Sequence, residues 1–122
     1  MLSLGPAVRV YLASEPVDMR RGHDGLYAIV KGWDLDPFSG DLYAFIGKRR
    51  DRVKILVWHR GGFVLVYKRL ERGRFRIPRV GPGRRTATLD GTELAMLLDG
   101  IDVERVRRPV LWEPGRRAAS GG

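Results

Sequence analysis

Two clusters of cations carry the side chains needed to hold a polyanion. The first is Lys48, Arg49, Arg50 and Arg52; the second is Lys68, Arg69, Arg72, Arg74 and Arg76. Arginine offers a planar fork of donors that grips phosphate oxygens in pairs, and lysine a mobile point charge. The chemistry these residues suit is contact with the phosphate backbone of DNA or RNA. An edge strand guarded against aggregation would also carry charge, but nine cations in two clusters exceed that need. No helix-turn-helix, zinc-finger or aromatic RNA-reading pattern accompanies them, so base-specific reading has no visible apparatus.

The other reactive residue types do not assemble into a site. In DMRRGHDG, Asp18, Arg20, Arg21, His23 and Asp24 surround Gly22 and Gly25. This stretch would serve either as a phosphate-facing turn at a helix N-terminus or, the favoured reading, as the capped start of a helix with an Asp–Arg pair. It holds no Walker lysine pattern. Asp34, Asp36 and Asp41 fall in loop-forming sequence, where Asp is ordinary. His23 and His59 lie in separate loops, and no Ser/His/Asp or Cys/His arrangement is present. A metal-dependent nuclease would need the fold to gather carboxylates that the sequence keeps apart. With no cysteine, disulfides and thiolate zinc sites are excluded. The expectation is a non-enzyme with no cofactor, no metal and no catalytic residue.

Charge is distributed unevenly. The whole chain is +9, yet from Gly47 to Arg85 there are fourteen Lys or Arg against two acids, Asp51 and Glu71. A basic middle with mildly acidic flanks points to a polyanionic partner. The chain has 122 residues, 43% of them hydrophobic and 30% charged, which is the composition of one folded domain. We expect that domain over residues 1–106, followed by a basic, partly disordered tail over residues 107–122. The longest apolar runs, such as LYAIV and FVLVY, are five residues, far short of the roughly 20 needed to cross a bilayer. The N-terminal stretch lacks the features of a secretory signal, so a cytoplasmic location is expected.

The elements that would position the cations follow from periodicity. VRVYLA alternates Val8, Val10 and Leu12 with Arg9 and Tyr11, as a half-buried strand does. Asp24 can then cap a helix whose buried face is Leu26, Ile29, Val30 and Trp33. DLDPFSG is loop chemistry. DLYAFIG, RVKILVWH and GFVLVYKR read as an antiparallel meander, with Arg60, Gly61 and Gly62 at the hairpin turn. The last two are apolar on both faces, which requires cover on both faces by a helix, a second element or a partner chain. RFRIP alternates Arg74 and Arg76 with Phe75 and Ile77, and Pro78 places it as an edge strand. A second helix follows in TLDGTELAMLLDGI, with Thr92 as N-cap and Leu94, Leu97, Leu98 and Ile101 on one face. The fold expected is α+β: a curved antiparallel sheet of about five strands with two packed helices.

Taken in order, VRVYLASEPVDMRRGHDGL, DPFSGDLYAFIGKRRDRVKILVWHRGGFVLVYKRLERGRF and LAMLLDGID resemble the small accessory proteins of the insertion-sequence-66 family of bacterial transposons, the TnpB or Orf2-like family. DMRRG, DPFSG, KRLERGRF and LLDGID in combination make the resemblance specific, over about Val8 to Asp102. It implies a protein encoded beside a separate DDE-type transposase and assisting transposition, with no established catalytic site to carry over. On this reading DNA at the transposon ends and the transposase are the expected partners. The rival expectation is an adaptor that docks the transposase or a second copy of itself through its apolar sheet face and Trp58.

Overall fold

The computed structural model describes residues 5 and 7–102. Along the chain these form β1 (Arg9–Ala13), α1 (His23–Gly32), β2 (Leu42–Ile46), β3 (Arg52–His59), β4 (Gly62–Arg69), β5 (Thr86–Asp90) and α2 (Gly91–Leu98). The five strands make one sheet in the order β4-β3-β2-β1-β5, and the class is α+β as expected. The expectation of a curved, wholly antiparallel sheet is corrected: the sheet is mixed and not strongly curled. β1 and β2 run parallel, with Val10 opposite Leu42 and Leu12 opposite Ala44. The helical connection between them is the reason, because parallel neighbours need a long crossover where antiparallel ones need only a turn.

Side chains alternate across the sheet and build a core on each face. On one face Val10, Leu12, Ala44, Ile46, Ile55 and Leu89 pack with Leu94 and Leu97 of α2 and with Phe75 from the long β4–β5 connection. On the other, Ala13, Tyr43, Phe45 and Leu56 pack with Leu26 and Val30 of α1. Both faces of β3 are therefore covered from within the chain. Lys54 of β3 donates to the Arg21 carbonyl before α1 begins, while Trp33 at its far end stacks on Phe45 of β2, so the helix runs over the sheet from β3 to β2.

β3 and β4 have the bounds that periodicity gave, and the hairpin closes with Arg60 at φ 45° and Gly61 at φ 85°, opposite the His59–Gly62 pair. RFRIP is not a strand. Phe75 and Ile77 do point inward and Arg74 and Arg76 outward, but the segment packs over the sheet instead of joining its ladder. The fifth strand is TATLD, in which Ala87 and Leu89 are buried and Thr88 is exposed. The cap of α2 is Asp90, not Thr92: its carboxylate accepts from the Glu93 amide while the Glu93 side chain accepts from the Asp90 amide. Ile101 is 42% exposed and leaves the helix face assigned to it. α1 starts after Gly22 with no side-chain cap, and Asp24 sits in its first turn. The expected tail at 107–122 lies outside the described residues.

Candidate nucleic-acid interface

Strand direction decides where the cations go. Because β1 and β2 are parallel and their neighbours antiparallel, Ala13, Ile46, Arg52, Arg69 and Thr86 all stand at one end of the sheet. The segments that leave or rejoin the sheet there are 14–22, 47–51 and 70–85. They hold Lys48, Arg49, Arg50, Arg72, Arg74 and Arg76 of the predicted clusters together with Arg20, Arg21, Arg84 and Arg85, while Arg52, Lys68 and Arg69 stand at the adjoining ends of β3 and β4.

Two backbone hydrogen bonds join the clusters that the sequence separates. The Leu70 amide donates to the Asp51 carbonyl at 2.7 Å, and the Phe75 amide to the Arg50 carbonyl at 2.6 Å. Phe75, only 1% exposed, anchors the long connection from below. Arg50 at φ 62° and Gly73 at φ 76° turn the two backbones sharply where they meet. Lys48, Arg49, Arg50 and Arg74 thereby border one cleft of about 420 Å³.

The nine predicted residues are not equivalent. Lys48, Arg49, Arg50, Arg72, Arg74 and Arg76 are exposed and make no side-chain hydrogen bond or ion pair among the described residues. Lys68 is committed elsewhere: its Nζ donates at 2.7 Å to the carbonyl of Leu98, the last residue of α2, where a cation meets the negative end of the helix. Arg69 donates from Nε to Glu71 at 2.9 Å, which holds its guanidinium charged and steers it back along the turn. Arg52 lies half-buried, and its Nε, like Oδ1 of Asp51, is buried without a hydrogen-bond partner.

Sequence reasoning set DMRRG apart from the basic clusters, whereas the fold brings them together. The Val17 amide donates to the Ile46 carbonyl, and Met19 lies directly over Gly47. Asp18 then accepts from both the backbone and the guanidinium of Arg20, which holds its carboxyl down at about 2. Asp18, Met19 and Arg20 face Lys48, Arg49 and Arg52 across a cleft of about 700 Å³. The signal that would have found this is the helical crossover: with β1 and β2 parallel, the loops after both strands must share an end. On the β5 side, Ser14 binds the carbonyls of Arg84 and Arg85, and Arg85 reaches the Gly32 carbonyl and pairs with Asp34 at 3.6 Å.

The opposite end has different chemistry. In DPFSG, Asp36 accepts from the Phe38 amide and Ser39 from the Asp41 amide, while the Tyr43 hydroxyl donates to the Asp36 carbonyl at 2.7 Å. Burial pushes the Tyr43 phenol up. This braced turn presents Phe38, 48% exposed, edge-on to Trp58 at 5.0 Å, and Phe63 and Tyr27 complete an aromatic cluster. Among the described residues no three His, Asp or Glu side chains gather as metal ligands, and no helix is long and apolar enough to cross a membrane.

No solved structure matches the chain. Two proteins of Sinorhizobium fredii NGR234 do: uncharacterized protein y4jC is 37% identical over 118 residues, spanning 94% of this chain and 99% of that protein. Uncharacterized protein y4hO is 38% identical over 116 residues, spanning 93% and 96%. The family model described as IS66 Orf2 like protein matches residues 8–108, which takes in both basic clusters, the DMRRG loop and the aromatic turn. The chain is a member of the IS66 Orf2-like family of transposition-associated proteins.

Proposed function

We propose that the basic end of the sheet binds the DNA backbone and helps assemble the IS66 transposase on transposon ends. The observation that carries this reading is the pair of hydrogen bonds from Leu70 and Phe75 to the 50–51 turn, which merges the two cation clusters into one surface. Five strands spaced about 4.8 Å apart give that end a width of about 20 Å. This is enough to follow about six phosphates at about 3.4 Å per step along one strand. The exposed Arg49, Arg72 and Arg74 suit phosphate contact, while Lys68 has a structural duty. The protein supplies binding and positioning, and the bond-making chemistry belongs to the transposase.

The test is fluorescence anisotropy of a labelled transposon-end duplex and a scrambled duplex, titrated with protein across salt concentrations. Backbone binding gives salt-dependent affinity for both, with a logarithmic slope of about −0.9 per phosphate neutralised. The triple variant Arg49→Glu, Arg72→Glu, Arg74→Glu flattens that slope. Affinity that ignores this reversal would sink the surface, and a failure to bind at low salt would sink the DNA reading.

A second reading rests on the aromatic cluster around Phe38 and Trp58. As an adaptor, the protein would dock the transposase through that end, and charge would serve solubility. A transposase complex that survives high salt without DNA and is lost in Phe38→Ala favours it.

A further inference from the structure

The two edges of the sheet differ. β5 has five residues and continues directly into α2. β4 has eight residues, and among the described residues β3 is its only strand neighbour. From Gly62 to Tyr67 it carries no charge, no proline and no bulge, the devices that ordinarily blunt an edge. Val64 and Tyr67 on this strand are 39% and 50% exposed.

Hairpin geometry states which backbone groups are free. A two-residue turn closes on a pair that exchanges both hydrogen bonds, here His59 and Gly62. Alternate pairs along the ladder repeat that exchange, so Val64, Val66 and Lys68 bond inward to β3. The amides and carbonyls of Phe63, Leu65 and Tyr67 therefore point outward from the edge.

We infer that β4 pairs antiparallel with β4 of a second copy of this chain, about a two-fold axis at Leu65. A two-fold axis normal to the sheet keeps like faces together, which restricts the strand to pairings of residues with even sums. With Leu65 opposite its own copy, Phe63 meets the second copy's Tyr67, and Val64 meets the second copy's Val66. Every outward backbone group named above finds a partner, giving about six new hydrogen bonds. Both exposed apolar residues of the strand are covered, and the aromatic cluster at Phe63 extends onto Tyr67 of the second copy.

Self-pairing about one axis satisfies the outward groups of both strands and covers Val64 and Tyr67 at once, which favours a second copy, and charge does not oppose it. The only charged residues on β4 are Lys68 and Arg69, at its C-terminal end. In this register Lys68 falls opposite Gly62 and Arg69 opposite Gly61 of the second copy, so no cation faces a cation. The strand is complementary to itself in hydrogen bonding and apolar cover, and the register sets no like charges opposite one another. This inference stands apart from DNA binding, because its contacts lie along the strand and not at the basic end.

The test uses the full chain, freed of nucleic acid by nuclease and held in high salt. Sedimentation equilibrium should show a concentration-dependent dimer. Val64→Lys and Tyr67→Glu, each at an exposed position, should weaken self-association at least tenfold with an unchanged far-ultraviolet circular dichroism spectrum. Glu at position 67 would sit beside Lys54, so the monomer tolerates it. Under oxidation, Leu65→Cys should cross-link two chains and Val66→Cys should not, because only residue 65 meets itself. A monomer at all concentrations, or a dimer indifferent to Val64→Lys and Tyr67→Glu, overturns the inference. Cross-linking through position 66 in place of 65 overturns the register.

Discussion

Met19 lies across Gly47 so closely that its Cγ stands 2.6 Å from where a β-carbon on Gly47 would be. The glycine is needed for space and not for backbone freedom, since its φ is not positive. Gly47→Ala should displace Met19, and with it the Asp18–Arg20 loop, at a cost of about 1–3 kcal/mol in urea unfolding. A variant as stable as the parent would mean that Met19 moves aside freely.

Lys68 and Arg74 should separate structure from binding. Lys68→Met keeps the apolar stem but removes the cation from the end of α2, which should cost about 0.5–1 kcal/mol of stability. It should leave the salt slope of DNA binding unchanged. Arg74→Glu should do the reverse, flattening the slope at unchanged stability. The paired measurements are denaturant unfolding and anisotropy across salt.

Phe75 fills the core beneath the joined turns. Phe75→Ala should cost about 3–5 kcal/mol, as large-to-small core changes do. Where the variant still folds, loosening of the 70–76 segment should weaken DNA binding although every cation remains. Equal affinity in the folded variant would show that the clusters act separately.

Asp18 offers a pH test. Its carboxyl is held at about 2 by the Arg20 guanidinium and amide, against an ordinary value of about 3.9. The folded value is the lower one, so this pair's contribution is in place above about pH 4 and is lost as pH falls towards 2. Carbon-13 chemical shifts of the Asp18 carboxyl should give that low midpoint, and Arg20→Gln should bring it back up. A midpoint near 4 in the parent protein would show that the pair is not held in solution.

Tyr43 should respond at the other extreme. Its buried phenol is pushed up, so the stability it lends is present below about pH 10 and declines as pH rises through its folded value. Tyr43→Phe gives up the hydrogen bond to the Asp36 carbonyl and should cost about 1 kcal/mol. Thermal melts at neutral and alkaline pH check both statements.

The meander was the legible part of this fold. RVKILVWH and GFVLVYKR carry apolar residues at every core position, and the turn between them needs left-handed backbone, so pattern and turn chemistry agree. RFRIP misled because alternation records which side chains face inward and not whether the backbone joins a ladder; Phe75 buries itself without pairing. TATLD was hidden by its weak apolar content, with only Ala87 and Leu89 facing the core, and by its direct continuation into α2. The Asp90–Glu93 box was present as DGTE, but Thr92 drew the cap two residues too far. For the site, charge density picked out the clusters, while the convergence of residues 18–20 with residues 48–52 depended on strand direction.

Among the described residues, the gathering of the basic loops at one end of the sheet, with Asp36 and Asp41 at the other, sets up a permanent electric polarity. Near a polyanion such a body experiences a torque before it makes any contact, and it arrives with its arginines leading. Orientation in the encounter would then be supplied by the long-range field. Added salt, by shortening that field, would slow arrival more than it hastens departure.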